Sequence, residues 1–302
     1  MELDEFTDDR LIFLVGAPRS GTTYLQRLLA THPPIKTAQE SHLFDNHIGF
    51  QLFQWDRLST PYSTGKRMGV GMPCYHTKEE FLRLIKEYAV KLLFPFLKEL
   101  NGNEVFLEKT PLHSKFINDI IRLFPGSKII HIIRHPFDSS RSYLHSTKTW
   151  FTNKRKDINI GTQAGSEWKN SVATIINNKD KIKNNNYLEV KYEDFINEKA
   201  EGLSRIFQFI GFNVDKSDIN KYLEANEKDN LLKNQGGKIP IKGEIAKKTG
   251  VSFLEEPEGF INKKKFRLNP VTKFLVWRKV YQLGKGLGYD CNYLHFLNNT
   301  YK

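Results

Sequence analysis

Between Gly16 and Thr23, in the stretch "FLVGAPRSGTTYLQRLLATHP" that begins at Phe13, one arginine and three hydroxyl side chains share eight positions. Gly16 and Gly21 have the G-x-x-x-x-G spacing of a phosphate-cradling loop, and the apolar run "LIFLV" leads into it. A loop built for nucleoside triphosphates continues with Lys and then Ser or Thr; here it continues Thr22-Thr23. From Pro18 to Thr23 the chain offers successive backbone amides, a glycine for close approach and the start of a helix, which suit an anion without any lysine. Ser20, Thr22 and Thr23 add hydroxyl donors, and Arg19 adds a forked, permanently charged one. Such a set holds one terminal phosphate or phosphosulfate oxyanion and gives a β,γ-diphosphate no grip.

Two further cations stand directly after apolar strand-like runs. Lys109 follows "EVFLE" and Arg134 follows "SKIIHII". The residue after Ile133 is arginine rather than aspartate, so the chain has no Walker-B pattern to hold magnesium.

The elements that carry these residues are legible from periodicity. Leu11 to Val15 reads as a buried strand, followed by an amphipathic helix from about Gly21 to Ala30 that His32-Pro33-Pro34 stops. Phe81, Leu84, Ile85, Tyr88, Leu92 and Phe96 recur at three- and four-residue steps and predict a helix over 78–100. Strands are expected at 104–109, 127–133 and 187–195. Helices are expected in "SKFINDIIRLF", from Pro136, around Trp168, in "AEGLSRIFQFIGF" and in "PVTKFLVWRKVYQLGKGLGYD". From about Asn213 to Asn269 the chain is polar, lysine-rich and weakly periodic, which predicts a loop-rich insertion or lid.

Strands alternating with helices predict an α/β fold: a three-layer, P-loop-type domain spanning 1–302, with a central, mostly parallel sheet covered on both faces. Ligands of such sheets bind beyond the carboxyl ends of the strands, where the loop at 16–23, Lys109 and Arg134 would converge.

"GAPRSGTTYLQRLLATHP" resembles the 5′-phosphosulfate loop of sulfotransferases that use 3′-phosphoadenosine 5′-phosphosulfate (PAPS), most closely the branch of the tyrosylprotein enzymes and their bacterial relatives. "IIRHPFDSSRSYLHS" is similar to the same family's 3′-phosphate site, which implies that Arg134 and Ser142, eight positions on, bind the ribose 3′-phosphate. "VKYEDF" resembles the family's strand-end segment and implies Tyr192 beside the adenine. The resemblance implies a co-substrate, PAPS, held by Pro18, Arg19, Ser20, Gly21, Thr22, Thr23, Arg134, Ser142 and Tyr192, with no metal required. It implies Lys109 as the cation at the leaving group, aided by Arg19. Two residues compete as the base that deprotonates a hydroxyl acceptor. Glu40 in "HPPIKTAQESHLF" stands at the tyrosylprotein branch's distance from the loop arginine; His113 follows Lys109 at a wider spacing than the histidine base of cytosolic relatives. His42 and Glu108 stand close by in sequence with no role implied. Lys263 to Lys265 or Arg267 are candidates to close over the nucleotide, and "GFQLFQWDRL" to frame an acceptor pocket, although such aromatics are more often core.

The 302-residue chain carries 46 Lys and Arg against 34 Asp and Glu, a net charge of +12, which favours an anionic partner. The basic residues are dispersed and no nucleic-acid module appears, which argues against nucleic acid as that partner. Two distant cysteines make neither a disulfide framework nor a metal site. The acidic start "MELDEFTDDR" is not a signal peptide, and no apolar run spans a membrane, so a reducing cytoplasm is the expected home. The competing reading is a nucleotide or sugar kinase with a degenerate Walker A loop, against which the missing lysine and aspartate both count.

Overall fold

The computed structural model describes residues 6–60, 70–150, 157–183, 185–226 and 270–292. Five parallel strands form its sheet: β1 (Leu11–Gly16), β2 (Ile35–Thr37), β3 (Val105–Glu108), β4 (Lys128–Ile133) and β5 (Tyr187–Lys191), in the spatial order β2-β3-β1-β4-β5. Every residue of β1 is buried, as expected of a strand covered on both faces. Leu11, Phe13 and Val15 enter one apolar cluster while Ile12 and Leu14 enter another, so the side-chain alternation of a single strand feeds two cores.

On the first face lie α2 (Gly49–Ser59), α3 (Lys78–Leu97) and α4 (Ile117–Leu123). On the second lie α1 (Thr22–Leu29), α8 (Lys199–Ile210) and α9 (Lys216–Ala225), joined to β5 by the short α7 (Tyr192–Asn197). A third cluster unites Ile133 with α5 (Pro136–Trp150), α6 (Asp157–Ile176) and the C-terminal helix α10 (Pro270–Gly286).

The chain leaves β1 for β2 and β3 on one side and reaches β4 and β5 on the other. The loop after β1 therefore sits where the strand order reverses, the place at which open α/β sheets bind ligands.

Two expectations need correction. The strand foreseen over 187–195 ends at Lys191, and Tyr192 begins α7. Within the polar region after Asn213, residues Lys216–Ala225 form a helix, because Ile219, Tyr222 and Leu223 pack onto the second core; 227–269 lie outside the described residues. The apolar face of α3 is wider than its core contact: Phe81, Ile85, Ala89, Leu93 and Leu97 are buried, whereas Leu84, Tyr88 and Leu92 are exposed. A capping box fixes the start of that helix, with Thr77 Oγ1 accepting from the Glu80 amide and the Glu80 carboxylate accepting from the Thr77 amide. No described helix is long and apolar enough to cross a membrane.

Candidate active site

The loop after β1 is shaped by two left-handed residues, Arg19 at φ 71° and Gly21 at φ 100°. Ser20 closes it by donating from both its amide and its hydroxyl to the Ala17 carbonyl, at 3.1 and 2.6 Å. Gly21 is the N-cap of α1 and brings no side-chain acceptor, so the first-turn amides of that helix have no side-chain cap. A side chain at Gly21 would meet the Tyr192 ring: a Cβ there would lie 2.6 Å from it.

The strand ends bring three distant segments to this loop. Arg19 donates from Nε to Ser142 Oγ at 3.1 Å, and Arg134 donates to the Arg19 carbonyl at 3.4 Å. The Arg134 guanidinium lies over the Tyr192 ring, 4.4 Å from its centre. Trp168 donates its indole N–H to the Arg134 carbonyl, and Glu193 accepts from the next amide, His135, so both polar atoms of the peptide that follows the arginine are held. Among the described residues Arg134 has no carboxylate partner. Pro18, Arg19, Ser20, Gly21, Thr22, Thr23, Arg134, Ser142 and Tyr192 thus come together.

A second group assembles across β2 and β3. Parallel pairing sets Thr37 beside Leu107, so the chain after each strand emerges on the same edge of the sheet. Gln26, buried on α1, donates to Thr37 Oγ1 and to the Ala38 carbonyl, both at 2.8 Å, and Thr37 Oγ1 donates to the Leu107 carbonyl at 2.7 Å. Glu40 is held at the end of this ladder. Its Oε1 accepts from Lys109 Nζ at 2.5 Å, and the same ammonium lies 3.4 Å from Thr23 Oγ1. The lysine is only 5% exposed and the glutamate 35%, so the cation stands between the loop and a carboxylate open to the cleft.

His113 lies away from the cleft. It is fully buried, with Nδ1 2.9 Å from Glu108 Oε2 and Nε2 3.6 Å from Asp45 Oδ1. Burial disfavours its charged form, but the two carboxylates outweigh that and raise its pKa to about 9. The Phe44 amide, 3.2 Å from Nε2 and directed at it, opposes the shift by favouring a lone pair there; one amide dipole is weaker than two carboxylates, and the direction is upward. Burial works to raise the Glu108 pKa, but His113 and the hydroxyls of Ser41 and Thr110, at 2.7 and 2.8 Å, hold it down at about 2. Glu108 therefore serves as a buried clasp between residues 41–45 and 110–113.

Sequence reasoning passed over Gln26, Ser41 and Asp45, and left His42 and Glu108 without roles. The available signal was Gln26, an amide on the apolar face of a helix. Phe50 and Phe53 of "GFQLFQWDRL" are exposed, at 67% and 59%, while Leu52 and Trp55 are core. Lys263 to Lys265 and Arg267 lie outside the described residues.

Comparison with known proteins agrees with this architecture. A family model described as the sulfotransferase family matches residues 11–216. Protein-tyrosine sulfotransferase A of Caenorhabditis elegans is 23% identical over 202 residues, covering 66% of this chain and 49% of the relative. Omega-hydroxy-beta-dihydromenaquinone-9 sulfotransferase Stf3 of Mycobacterium tuberculosis is 23% identical over 249 residues, covering 67% and 63%. The match takes in about half the length of the first relative and less than two thirds of the second. Among solved structures, the sulfotransferase domain of the Synechococcus PCC 7002 olefin synthase aligns with a TM-score of 0.50 at 21% identity, covering 93% of this chain and 94% of that one. The sulfotransferase domain from the curacin biosynthetic pathway aligns at 0.51 and 19%, covering 92% and 97%.

Proposed function

The chain belongs to the sulfotransferase family, and from that premise we propose that it transfers a sulfuryl group from PAPS to a hydroxyl acceptor by in-line displacement, leaving adenosine 3′,5′-bisphosphate (PAP) and a sulfate ester. The observation that carries this reading is the position of Lys109, 2.5 Å from Glu40 and 3.4 Å from Thr23: one cation serves both a carboxylate base and the anion loop.

The residues present fit the donor. PAPS has two anionic ends, and the site has two sets of donors: the amides and hydroxyls of the loop, and Arg134 with Ser142 across from Arg19. Among the described residues Arg134 has a ring as its neighbour where an ion pair would have a carboxylate, which suits it to an anionic ligand. Bound there, PAPS would supply the sulfuryl group and a phosphate leaving group.

The loop amides, Ser20, Thr22, Thr23 and Arg19 would bind the 5′ end, Arg134 and Ser142 the 3′-phosphate, and Tyr192 would lie along the adenine. Lys109 would stabilise the negative charge that grows on the leaving oxygen, aided by Arg19, in a buried setting where such stabilisation is strong. Glu40 would accept the proton of the acceptor hydroxyl. Glu40 fits this role better than His113 because it is the one open to the cleft, whereas His113 is sealed behind Glu108 and positions the turn that carries Glu40.

The test is release of PAP from PAPS in the presence of an acceptor panel of a tyrosine-containing peptide, 4-nitrophenol and 1-decanol. Acceptor-dependent transfer supports the reading. Magnesium-dependent transfer from ATP, with none from PAPS, replaces it with the kinase alternative.

A further inference from the structure

The turn that follows Glu40 carries a second line of titratable groups. His42 has a left-handed backbone, φ 50° and ψ 30°, and caps a short π-helix, Leu43–Ile48. Both features are uncommon, and both concentrate at functional sites. The conformation is held from three directions: the His42 amide donates to Thr110 Oγ1 at 3.3 Å, its ring Nδ1 lies 2.8 Å from Asp45 Oδ2, and Ser41 is fastened to Glu108.

The ring is thereby aimed. Asp45 Oδ2 accepts the hydrogen bond of the Nδ1–H, which assigns the lone pair to Nε2, and Nε2 lies 3.6 Å from Glu40 Oε2. The other Glu40 oxygen, Oε1, belongs to Lys109. The glutamate thus has one oxygen on the catalytic cation and the other facing an imidazole that a second carboxylate orients. Glu40 and Asp45 are the charged groups beside the ring; Lys109 stands behind the first and His113, 3.6 Å from Asp45, behind the second.

We propose that His42 is a positioning residue that acts through Glu40, receiving from it the proton removed from the acceptor. The proposal rests on the sulfuryl-transfer reading above. The acceptor O–H bond breaks and its proton passes to Glu40 Oε2. The acceptor oxygen gains its bond to sulfur as the bond between sulfur and the leaving phosphate oxygen breaks, the electron pair staying on the phosphate. The proton then moves from Glu40 Oε2 to His42 Nε2, where Asp45 balances the imidazolium charge, and it leaves to water from a ring that is 36% exposed. Glu40 is returned to its ionised form beside Lys109 for the next turnover.

The test uses two substitutions chosen for the left-handed backbone, His42→Gly and His42→Asn, because glycine and asparagine adopt it readily. The glycine variant also leaves room for added imidazole; the asparagine variant keeps a polar side chain without a basic nitrogen. With PAPS and the acceptor panel named above, both variants lose kcat by about 100-fold, while the KM for PAPS and the affinity for PAP stay at wild-type values. Imidazole in the buffer restores kcat to His42→Gly and leaves His42→Asn unchanged, and His47→Ala, exposed on the same π-helix, behaves as wild type. Wild-type kcat in either His42 variant, or a His42→Gly enzyme that imidazole does not restore, overturns the proposal and leaves the sulfuryl-transfer reading intact. A wild-type enzyme that moves no sulfuryl group from PAPS overturns both.

Discussion

Arg19 and Ser142, separated by 123 positions in the chain, meet through a 3.1 Å hydrogen bond at the mouth of the glycine loop, with Arg134 bonded to the Arg19 carbonyl behind them. One contact thus joins the loop that follows β1 to the helix that follows β4, at the place proposed for the second anionic end of the donor.

Removing these groups one at a time should weaken PAP binding in graded steps. Loss of a hydrogen bond to a charged group costs about 1.5–3 kcal/mol, so Ser142→Ala should weaken binding about 10-fold. Arg134→Ala, which removes a charge and a ring contact together, should weaken it by about 100-fold or more. Calorimetric titration of each variant checks the order, and equal affinities for wild type and Arg134→Ala would contradict it.

Gly21 and Tyr192 are matched in shape. An alanine at 21 faces two separate penalties: about 1–2 kcal/mol for a left-handed backbone and about 1–3 kcal/mol for forcing a methyl group into the tyrosine ring 2.6 Å away. Gly21→Ala should therefore be markedly destabilised in urea. Adding Tyr192→Ala should recover the second penalty only, so the double variant is more stable than the sum of the single changes implies.

Lys109→Met and Glu40→Gln should act on the chemical step. Each should lower kcat, by about 100- to 1,000-fold for the lysine and 100- to 10,000-fold for the glutamate, with the KM for PAPS changing far less. A His113→Asn variant that folds should retain more activity than Glu40→Gln, since its ring lies away from the cleft. The reverse ranking would move the base to His113.

The buried Glu108–His113 pair predicts a pH dependence of stability with a definite sign. His113 is raised to about 9 in the folded protein, so the stability it contributes is complete below the unfolded value near 6.5 and is lost as pH rises toward 9. Glu108 and Asp45, both held near 2, contribute stability that is present above about pH 4.5 and is lost as pH falls toward 2. The difference in unfolding free energy between wild type and His113→Gln should shrink steadily between pH 6.5 and 9. A constant difference across that window would place His113 in its neutral form throughout.

How much of this was legible in the sequence depends on the range of the contacts involved. The loop, Lys109 and Arg134 could be found because an apolar strand announces each one, and β1 and β4 are buried enough to be apolar apart from Lys128 at the start of β4 and His131, whose ring burial keeps neutral, with a pKa lowered to about 3. The contact between Glu40 and Lys109 could not be derived from local pattern, because it depends on the pairing of β2 with β3, and β2 is only three residues long after a proline pair. The wrong end for β5 has a similar cause: "YLEVKYEDF" alternates like one strand, but Phe195 is needed in the second core and helix α7 delivers it there. His42 and Asp45 were hidden most deeply, since neither a left-handed histidine nor a π-helix leaves a trace in hydrophobic periodicity.

The loop and the Arg134–Ser142 pair are proposed to form one site for a nucleotide with two separate phosphates. Calorimetric titration with PAP, in the presence and absence of ATP-magnesium and with Arg134→Ala as the control, measures this directly. PAP should bind tightly, indifferent to ATP-magnesium, and binding should be lost in the variant. Stronger binding of ATP-magnesium than of PAP, or PAP binding untouched by Arg134→Ala, would contradict it.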